Sequence, residues 1–349
     1  MLTERCLRLL GLIAPLATLA GCGTLYLAQA AQGQWRVLRA RQPIIRVVQS
    51  PQTPPELRAR LIELRDAREF ASRELGLPDN GSYRSYADIQ RRFVVWNVVA
   101  TPALSVRPLH WCFPIAGCVA YRGYFSERRA RDFALTLRSR GYDVTVGGVP
   151  AYSTLGHFAD PVLSSMLPYG DTELAAMVFH ELAHQLVYVA GDTEFDEAFA
   201  VTVEQVGLER WLRVRGRQQD LELYRAQRAE QTEFVALFRQ GRERLARLYR
   251  LQLESQAMRQ RKQILLDGLS SDIRALGRKY GGQTLYGEWL KEGLNNAHLV
   301  SVASYYDCVP GFEWLLAQQH GDLAAFYAAV RRLAGRPRAE RHAQLCTGR

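Results

Sequence analysis

A histidine–glutamate–histidine motif constrains the fold and function of this chain more than any other feature of its sequence. His180, Glu181 and His184 lie in an apolar run, residues 174–189, that contains good helix formers. The acidic segment 171–173 before it is suited to a helix N-cap. Residues four apart share one face of a helix, so the two imidazoles converge as two ligands of one Zn²⁺ must. Glu181, one position along, is placed to take a proton from a water molecule whose pKa the zinc lowers.

The same five-residue pattern also arises by chance. Here it falls in a helix that looks buried, where unpaired charge is costly, and this favours a metal site over an ordinary helix. A metal-dependent hydrolase is therefore the predicted class of protein.

The third metal ligand is expected from the next helix. Gly191 is a good helix stop, and Thr193 with Asp196 three residues later resembles a capping box. Two helices joined by a tight turn pack side by side. Glu197, about one turn into the second helix, is therefore the predicted third ligand.

Other side chains could take part in this site. Glu194 and Glu204 lie on roughly the same face as Glu197, and each is either a rival ligand or an ordinary surface residue. Glu204 and Asp196 are predicted to form hydrogen bonds that orient the metal ligands without binding the metal themselves. His157, in a loop, is a weaker candidate to line the same cleft.

The amino terminus predicts export and a lipid anchor. Arg5 and Arg8 precede an apolar stretch, residues 9–19, that is short for a membrane span and ends in Leu-Ala-Gly before Cys22. This resembles a bacterial lipobox, so residues 1–21 are predicted to be a lipoprotein signal peptide and Cys22 the lipidated residue. Gly23 in place of Asp favours the outer membrane, facing the periplasm. The alternatives are an uncleaved anchor or a simple secretory signal.

Cysteine usage agrees with an oxidising compartment. Apart from Cys6 and Cys22, four cysteines remain: Cys112, Cys118, Cys308 and Cys346. They are disulfide candidates, and the sequence leaves all three connectivities open, although a local 112–118 pair with a 308–346 pair is one of them. A zinc site made of these four is less favoured, because no Cys-x-x-Cys spacing occurs.

Composition is that of a folded chain with a basic balance. The formal net charge is +10, with 48% hydrophobic and 23% charged residues. Anionic neighbours such as lipid headgroups suit this charge. The arginines are spread along helices and no nucleic-acid motif occurs, so no nucleic-acid partner is predicted.

The expected fold class is α+β and mainly helical, with a small β-sheet. Residues 22–349 are expected to form a single domain. Helices and strands are predicted from apolar periodicity and from β-branched runs. The predicted helices are 24–48 (interrupted at Pro43), 55–75 and 126–140, and the predicted strands are 93–100, 117–121 and 142–146.

A long helical hairpin is predicted at about residues 215–280. Apolar residues such as Leu221, Phe234 and Leu245 mark one stripe, and the break is expected near Gly241 or Gly268. The hairpin could be an arm that binds a partner, or a cover over the cleft or plain scaffold, which is the favoured alternative.

The chain resembles a family of predicted bacterial aminopeptidases, which are zinc-dependent lipoproteins. The resemblance implies His180 and His184 as ligands, Glu181 as base, Glu197 as third ligand and a peptide as substrate. A glutamate ligand on the following helix resembles the gluzincin group of zinc peptidases, which implies a gluzincin-like core. The segments that carry the resemblance are 19–22, 29–34, 41–44, 121–125, 148–156, 160–161, 179–184, 195–199, 295–297 and 309–312.

Two positions and one missing segment depart from these patterns. The family has Asn where this chain has Asp196, and an aspartate cannot donate through an amide. The residue four past the third ligand, acidic in many gluzincins, is Val201 here, so a histidine must be oriented from elsewhere. The chain also lacks the Gly-x-Met-x-Asn segment with which well-studied zinc aminopeptidases bind the substrate amine. The aminopeptidase activity is therefore implied by the resemblance alone.

The predicted reaction is peptide hydrolysis with a metal-activated water. Tyr305 or Tyr306 could donate a phenol to the tetrahedral oxyanion. One alternative function is a non-catalytic envelope lipoprotein with structural zinc that binds a partner through its long helices. Another is a membrane-anchored assembly factor that keeps the motif as a relic.

Overall fold

A computed structural model describes residues 22–113, 116–281 and 286–346. The predicted signal peptide, residues 1–21, lies outside the described residues. The side chain of Cys22 does too, although its backbone begins the first helix. The described helices are α1 (Cys22–Arg39), α2 (Ile44–Gln49), α3 (Pro55–Arg73), α4 (Glu127–Ser139), α5 (Asp171–Leu186), α6 (Thr193–Val214), α7 (Gln218–Leu248), α8 (Ser255–Lys279), α9 (Gly287–Glu292), α10 (Asn296–Tyr306), α11 (Val309–Gln318), α12 (Leu323–Ala334) and α13 (Arg338–Leu345).

The described strands are β1 (Arg41–Pro43), β2 (Ser85–Ala87), β3 (Val95–Pro102), β4 (Trp111–Phe113), β5 (Gly117–Val119), β6 (Arg122–Tyr124), β7 (Tyr142–Val149) and β8 (Val162–Leu163). They form three small sheets in the described part of the chain, with the orders β1-β2-β8, β6-β3-β7 and β4-β5. The fold is thus α+β and mainly helical, as predicted.

The central sheet is antiparallel, and β3 lies between β6 and β7. One face packs against α4 through a small core that includes Val98, Ala100, Ala134 and Leu137. Helix α10 contacts β3 and β7 as well, and at its amino end the side-chain amide of Asn295 donates to the Val144 carbonyl of β7. The strand predictions at 93–100 and 142–146 are confirmed, with small shifts at the ends.

The main core surrounds α5 and α6, which pack against each other and against α3 and α11. Phe179, Phe195 and Phe199 are fully buried in it. Each contributes about 1.5–3 kcal/mol by leaving water. Gly207 allows the close approach, because a Cβ there would lie 2.7 Å from a Leu75 methyl and 3.1 Å from the Phe179 ring. The two helices that carry the motif and the predicted third ligand therefore have rigid surroundings.

Helices α7 and α8 contact each other along the predicted hairpin region and share a second core with α9 and α10. The break expected near Gly241 or Gly268 is wrong: both residues are helical, and the chain turns at residues 249–254. Gly241 serves packing instead of a turn, since a Cβ there would lie 2.7 Å from a methyl of Leu269.

Both disulfides join segments near the ends of elements. Cys112–Cys118 links β4 to β5, and Cys308–Cys346 ties the start of α11 to the end of α13. This is one of the three connectivities that the sequence left open. None of the described helices combines the length and the apolar composition that a membrane span needs.

Candidate functional site

Helix α5 positions both motif histidines. It starts at Asp171 with Gly170 as N-cap and no side-chain capping bond, so the predicted acidic cap is wrong. Asp171 and Glu173 lie instead in the first turn, where their negative charges interact favourably with the positive end of the helix dipole. One turn separates His180 from His184.

Three donor atoms converge between α5 and α6. The Nε2 atoms of His180 and His184 are 3.1 Å apart. Glu197 Oε2 lies 3.4 Å from the first and 3.6 Å from the second. Tetrahedral zinc with bonds of about 2.0–2.1 Å places its ligand atoms about 3.3–3.4 Å from one another. The spacing of the three side chains therefore fits a zinc ion.

Glu204 orients the first histidine. Its Oε2 lies 3.0 Å from His180 Nδ1, two helical turns beyond Glu197 on α6. A carboxylate on the second ring nitrogen fixes the tautomer and the ring plane, and leaves Nε2 for a metal. Val201 cannot supply this contact, and Glu204 takes its place. His184 Nδ1 is buried without a hydrogen-bond partner among the described residues.

Interactions between α5 and α6 shift the pKa values of Glu197 and His180. Burial raises the pKa of Glu197, but the two histidines outweigh it and lower that pKa to about 2. Burial lowers the pKa of His180, but hydrogen bonds to Glu197 and Glu204 raise it well above its usual value. The buried carboxylate is thus anionic and prefers a cation beside it.

Glu181 lies next to the group of three ligand atoms but does not belong to it. Burial raises the pKa of its carboxyl group, while the two histidines partly oppose this effect. It lines the same two cavities as His180. A carboxylate with a raised pKa next to a cation site is suited to general-base work.

Two other groups of potential ligands in the described residues are engaged elsewhere. Cys308 and Cys346, grouped with His342, form a disulfide. Asp192, grouped with Glu194 and His342, is bound by Arg341 at 2.7 Å. The histidine pair with Glu197 is therefore the group best suited to a metal.

Two clefts meet at the site. The strand cleft, about 300 Å³, is lined by residues of α1 and β3–β7, the loop after β7, and all three donors. The helix cleft, about 480 Å³, runs along α5, α6 and α7. Val149, Ala151, His180, Glu181 and Tyr305 line both. A substrate in either cleft would reach Glu181.

The family described as "Putative aminopeptidase" matches residues 25–345 of this sequence. That span is most of the chain and includes every donor above. The chain belongs to this family. A search of the curated proteins and a search of the solved structures each found no match.

Family membership supports a hydrolase that acts on peptides.

Asp196, which departs from the family pattern, makes a structural contact of its own. Asp196 Oδ1 accepts a hydrogen bond of 2.7 Å from the Val189 amide in the turn between α5 and α6. It is therefore not half of a capping box with Thr193; the N-cap of α6 is Asp192. Burial raises the pKa of Asp196 to about 9, despite the Val189 bond. Its second oxygen, Oδ2, is buried without a hydrogen-bond partner among the described residues.

The remaining candidates separate clearly. Glu194 pairs with Arg338 at 2.7 Å, away from the histidines. His157 is exposed and lines neither cleft. Tyr305 lines both clefts, whereas Tyr306 lines a separate cavity beside Glu204.

Several polar residues of the strand cleft escaped the sequence prediction, and two of them are instructive. Tyr121 and Asn97 line it together with the three donors. Burial and the nearby Glu197 raise the pKa of the Tyr121 phenol well above its usual value, so it stays a donor. Asn97 offered a signal, since it is the one polar side chain in the predicted strand 93–100. Tyr121 lies in a segment that carries the family resemblance.

Proposed function

We propose that this chain is a zinc-dependent peptidase of the cell envelope. The observation that carries the proposal is the set of three donor atoms, 3.1–3.6 Å apart, with Glu181 beside them. Two imidazoles and one carboxylate on two packed helices are the ligand set of catalytic zinc sites, which keep a fourth position open. The proposed core is gluzincin-like.

Each side chain of the site has a different proposed role. When bound, zinc lowers the pKa of a water molecule and polarises a carbonyl group. Glu181 takes the proton of the attacking water and passes it to the leaving amine. Tyr305 donates its phenol to the developing oxyanion. Glu204 keeps His180 in the tautomer whose Nε2 is free.

The substrate chain is proposed to lie beside the end of β7. Val149 and Ala151 line both clefts next to His180 and Glu181. Among the described strands, β7 pairs with β3 alone, at the edge of its sheet. An extended peptide that adds to the other edge gains main-chain hydrogen bonds, and its side chains enter pockets alternately.

Removal of the Glu204 carboxylate is expected to weaken metal binding. Glu204→Ala should raise the zinc Kd by about 10–100-fold, because His180 loses the partner that fixes its tautomer. Glu204→Gln should lose less, since an amide oxygen still accepts from Nδ1–H. Competition with a chromophoric chelator measures the Kd.

Glu209→Ala is the matched control on the same helix. Glu209 pairs with Arg213 and Arg225 and touches no metal donor. Equal zinc Kd values for Glu204→Ala and the wild type would contradict the orienting role.

The two adjacent tyrosines give a sharp comparison. Tyr305→Phe should lower kcat by about 100-fold, the loss typical of one oxyanion donor, with zinc content unchanged. Tyr306→Phe should stay close to wild type, because Tyr306 lines a neighbouring cavity and neither of the two clefts. Initial rates on one peptide measure both, and the reverse order of the two variants would refute the assignment.

The envelope location is proposed from Cys22 and from helix α1. Leu27 is 47% exposed and Trp35 60% on the solvent side of α1, and the Arg39 guanidinium lies over the Trp35 ring. Such a face suits a bilayer surface beside an acylated cysteine. The partners proposed are this membrane and a peptide, with residues 22–349 as one unit and the α7–α8 hairpin as an insertion.

Loss of the acylated residue should release the protein. Cys22→Ser removes the thiol that would carry acyl chains, each worth about 0.8 kcal/mol per buried methylene. We expect the wild type in the membrane fraction and the variant in the soluble envelope fraction. Equal distribution of the two proteins would rule out the lipid anchor.

The direct test of function is peptide hydrolysis. The zinc-loaded mature chain is incubated with a peptide library beside its Glu181→Gln variant, which keeps the three ligands and lacks the base. Products identified by mass spectrometry reveal hydrolysis, and the absence of any zinc-dependent product would overturn the proposed function.

A further inference from the structure

The two clefts lead away from the catalytic residues along different elements of the fold. The strand cleft reaches towards α1 and the β4–β5 hairpin, and the helix cleft towards the start of α5 and α7. Each has a volume in the range of cavities that hold small ligands. A peptide across Glu181 therefore has room on both sides of the bond.

An enzyme restricted to amino termini needs a carboxylate for the substrate ammonium group, since an unpaired charge is costly in a cleft. The carboxylates that line the strand cleft are Glu181 and Glu197. The first is the proposed base and the second a proposed ligand. Neither is free to hold an amine.

The helix cleft adds Glu173 and Glu204. Glu204 is bound to His180 Nδ1. Glu173 lies seven residues before His180, which is about 10 Å along the helix, whereas one extended residue spans about 3.4 Å. Its carboxylate also folds back over Gly170, where a Cβ would be 2.5 Å from it. It is too far away to hold the amine of the residue that would be released.

The side chains around both clefts are mainly aromatic and aliphatic. Tyr26, Phe113 and Phe125 line the strand cleft. Met177 and Leu208 line the helix cleft. Such walls favour large apolar substrate residues on either side of the cleaved bond.

We propose that the chain cleaves inside peptides, between large apolar residues, and needs no free α-amine. This inference rests on the proposed peptidase function. It departs from the activity in the family's name, because the described residues hold no unused carboxylate at the distance of a terminal amine.

The experiment uses a peptide library in two forms, with free and with acetylated amino termini. The zinc-loaded wild type is expected to cut both at the same internal bonds, with kcat/KM values within about threefold. New α-amines inside acetylated peptides, identified by mass spectrometry, are the readout. The inactive Glu181→Gln variant should bind both forms of one cleaved peptide with similar Kd.

The outcomes separate the inference from the function. Release of single residues from free peptides only would overturn internal cleavage and leave a peptidase. Hydrolysis of neither form would overturn both.

A cleft variant tests the side-chain preference. Met177→Arg puts a cation into the helix cleft, and it should shift the preferred residue on that side from apolar to acidic by at least about fivefold, whereas Met177→Leu should keep the wild-type profile. An unchanged profile in Met177→Arg would show that the helix cleft takes no substrate residue.

Discussion

Glu181→Gln is expected to lower kcat by a factor of about 10²–10⁴, the usual contribution of a general base. The amide has nearly the shape of the carboxylate but cannot take a proton from water. His180, His184 and Glu197 are untouched, so the variant should still bind one zinc per chain. Initial rates on a cleaved peptide, with zinc content measured on the same sample, give the result.

The matched control for this variant is Glu194→Gln. Glu194 is also a glutamate near the motif in sequence, but it pairs with Arg338 at the surface. It should retain wild-type kcat. If Glu181→Gln hydrolyses peptides as fast as the wild type, Glu181 is not the base, and a structural role for the metal becomes the better explanation.

The convergence of the site was predictable because it is local. Four-residue spacing on one helix and a tight turn to the next are enough to bring His180, His184 and Glu197 together. Of the two disulfides only Cys112–Cys118 is local in this sense, since its residues flank a short loop, whereas Cys308 and Cys346 are 38 residues apart. Local geometry needs no knowledge of the rest of the fold.

The hydrogen bonds that surround the ligands were less predictable, because they depend on how the helices are rotated and packed against each other. Glu204 was one of several glutamates on α6, and only the packing of α6 against α5 brings it to His180 Nδ1. Asp196 was expected to cap its own helix. The closeness of the Val189 amide, set by the turn before α6, gives it another partner.

The fold itself was predictable where periodicity is strong, as in α3, α4, β3 and β7. The hairpin break was not. Glycine usually signals a helix end, but Gly241 is tolerated in mid-helix because Leu269 fills the space beside it. The tertiary contact outweighs the cost of about 1 kcal/mol for a glycine in a helix.

Asp192→Ala is expected to destabilise the fold by about 3–5 kcal/mol, as removal of one partner of a buried ion pair does. Asp192 is 1% exposed at the start of α6, and Arg341 on α13 donates to its Oδ2 at 2.7 and 3.0 Å. The variant leaves the buried Arg341 guanidinium without its carboxylate. Urea unfolding under oxidising conditions, with the Cys308–Cys346 bond intact, measures the loss. Asp322→Ala is the control: it removes an exposed N-cap from α12 and should cost only about 1 kcal/mol.

The contribution of Asp192 should also depend on pH in a definite direction. Burial raises the pKa of this carboxyl, but hydrogen bonds from His342 and Arg341 outweigh it, and the pKa in the fold lies below its usual value. The stabilisation is therefore complete above the unfolded pKa of about 3.9, and it is lost as the pH falls through the lower folded value. The stability difference between wild type and Asp192→Ala should shrink on acidification below about pH 4. A difference that stays constant or grows there would mean that α13 is not held to the start of α6 by this carboxylate. Glu197 lies five residues further along α6, so the same ion pair holds in place the helix that carries the proposed third ligand.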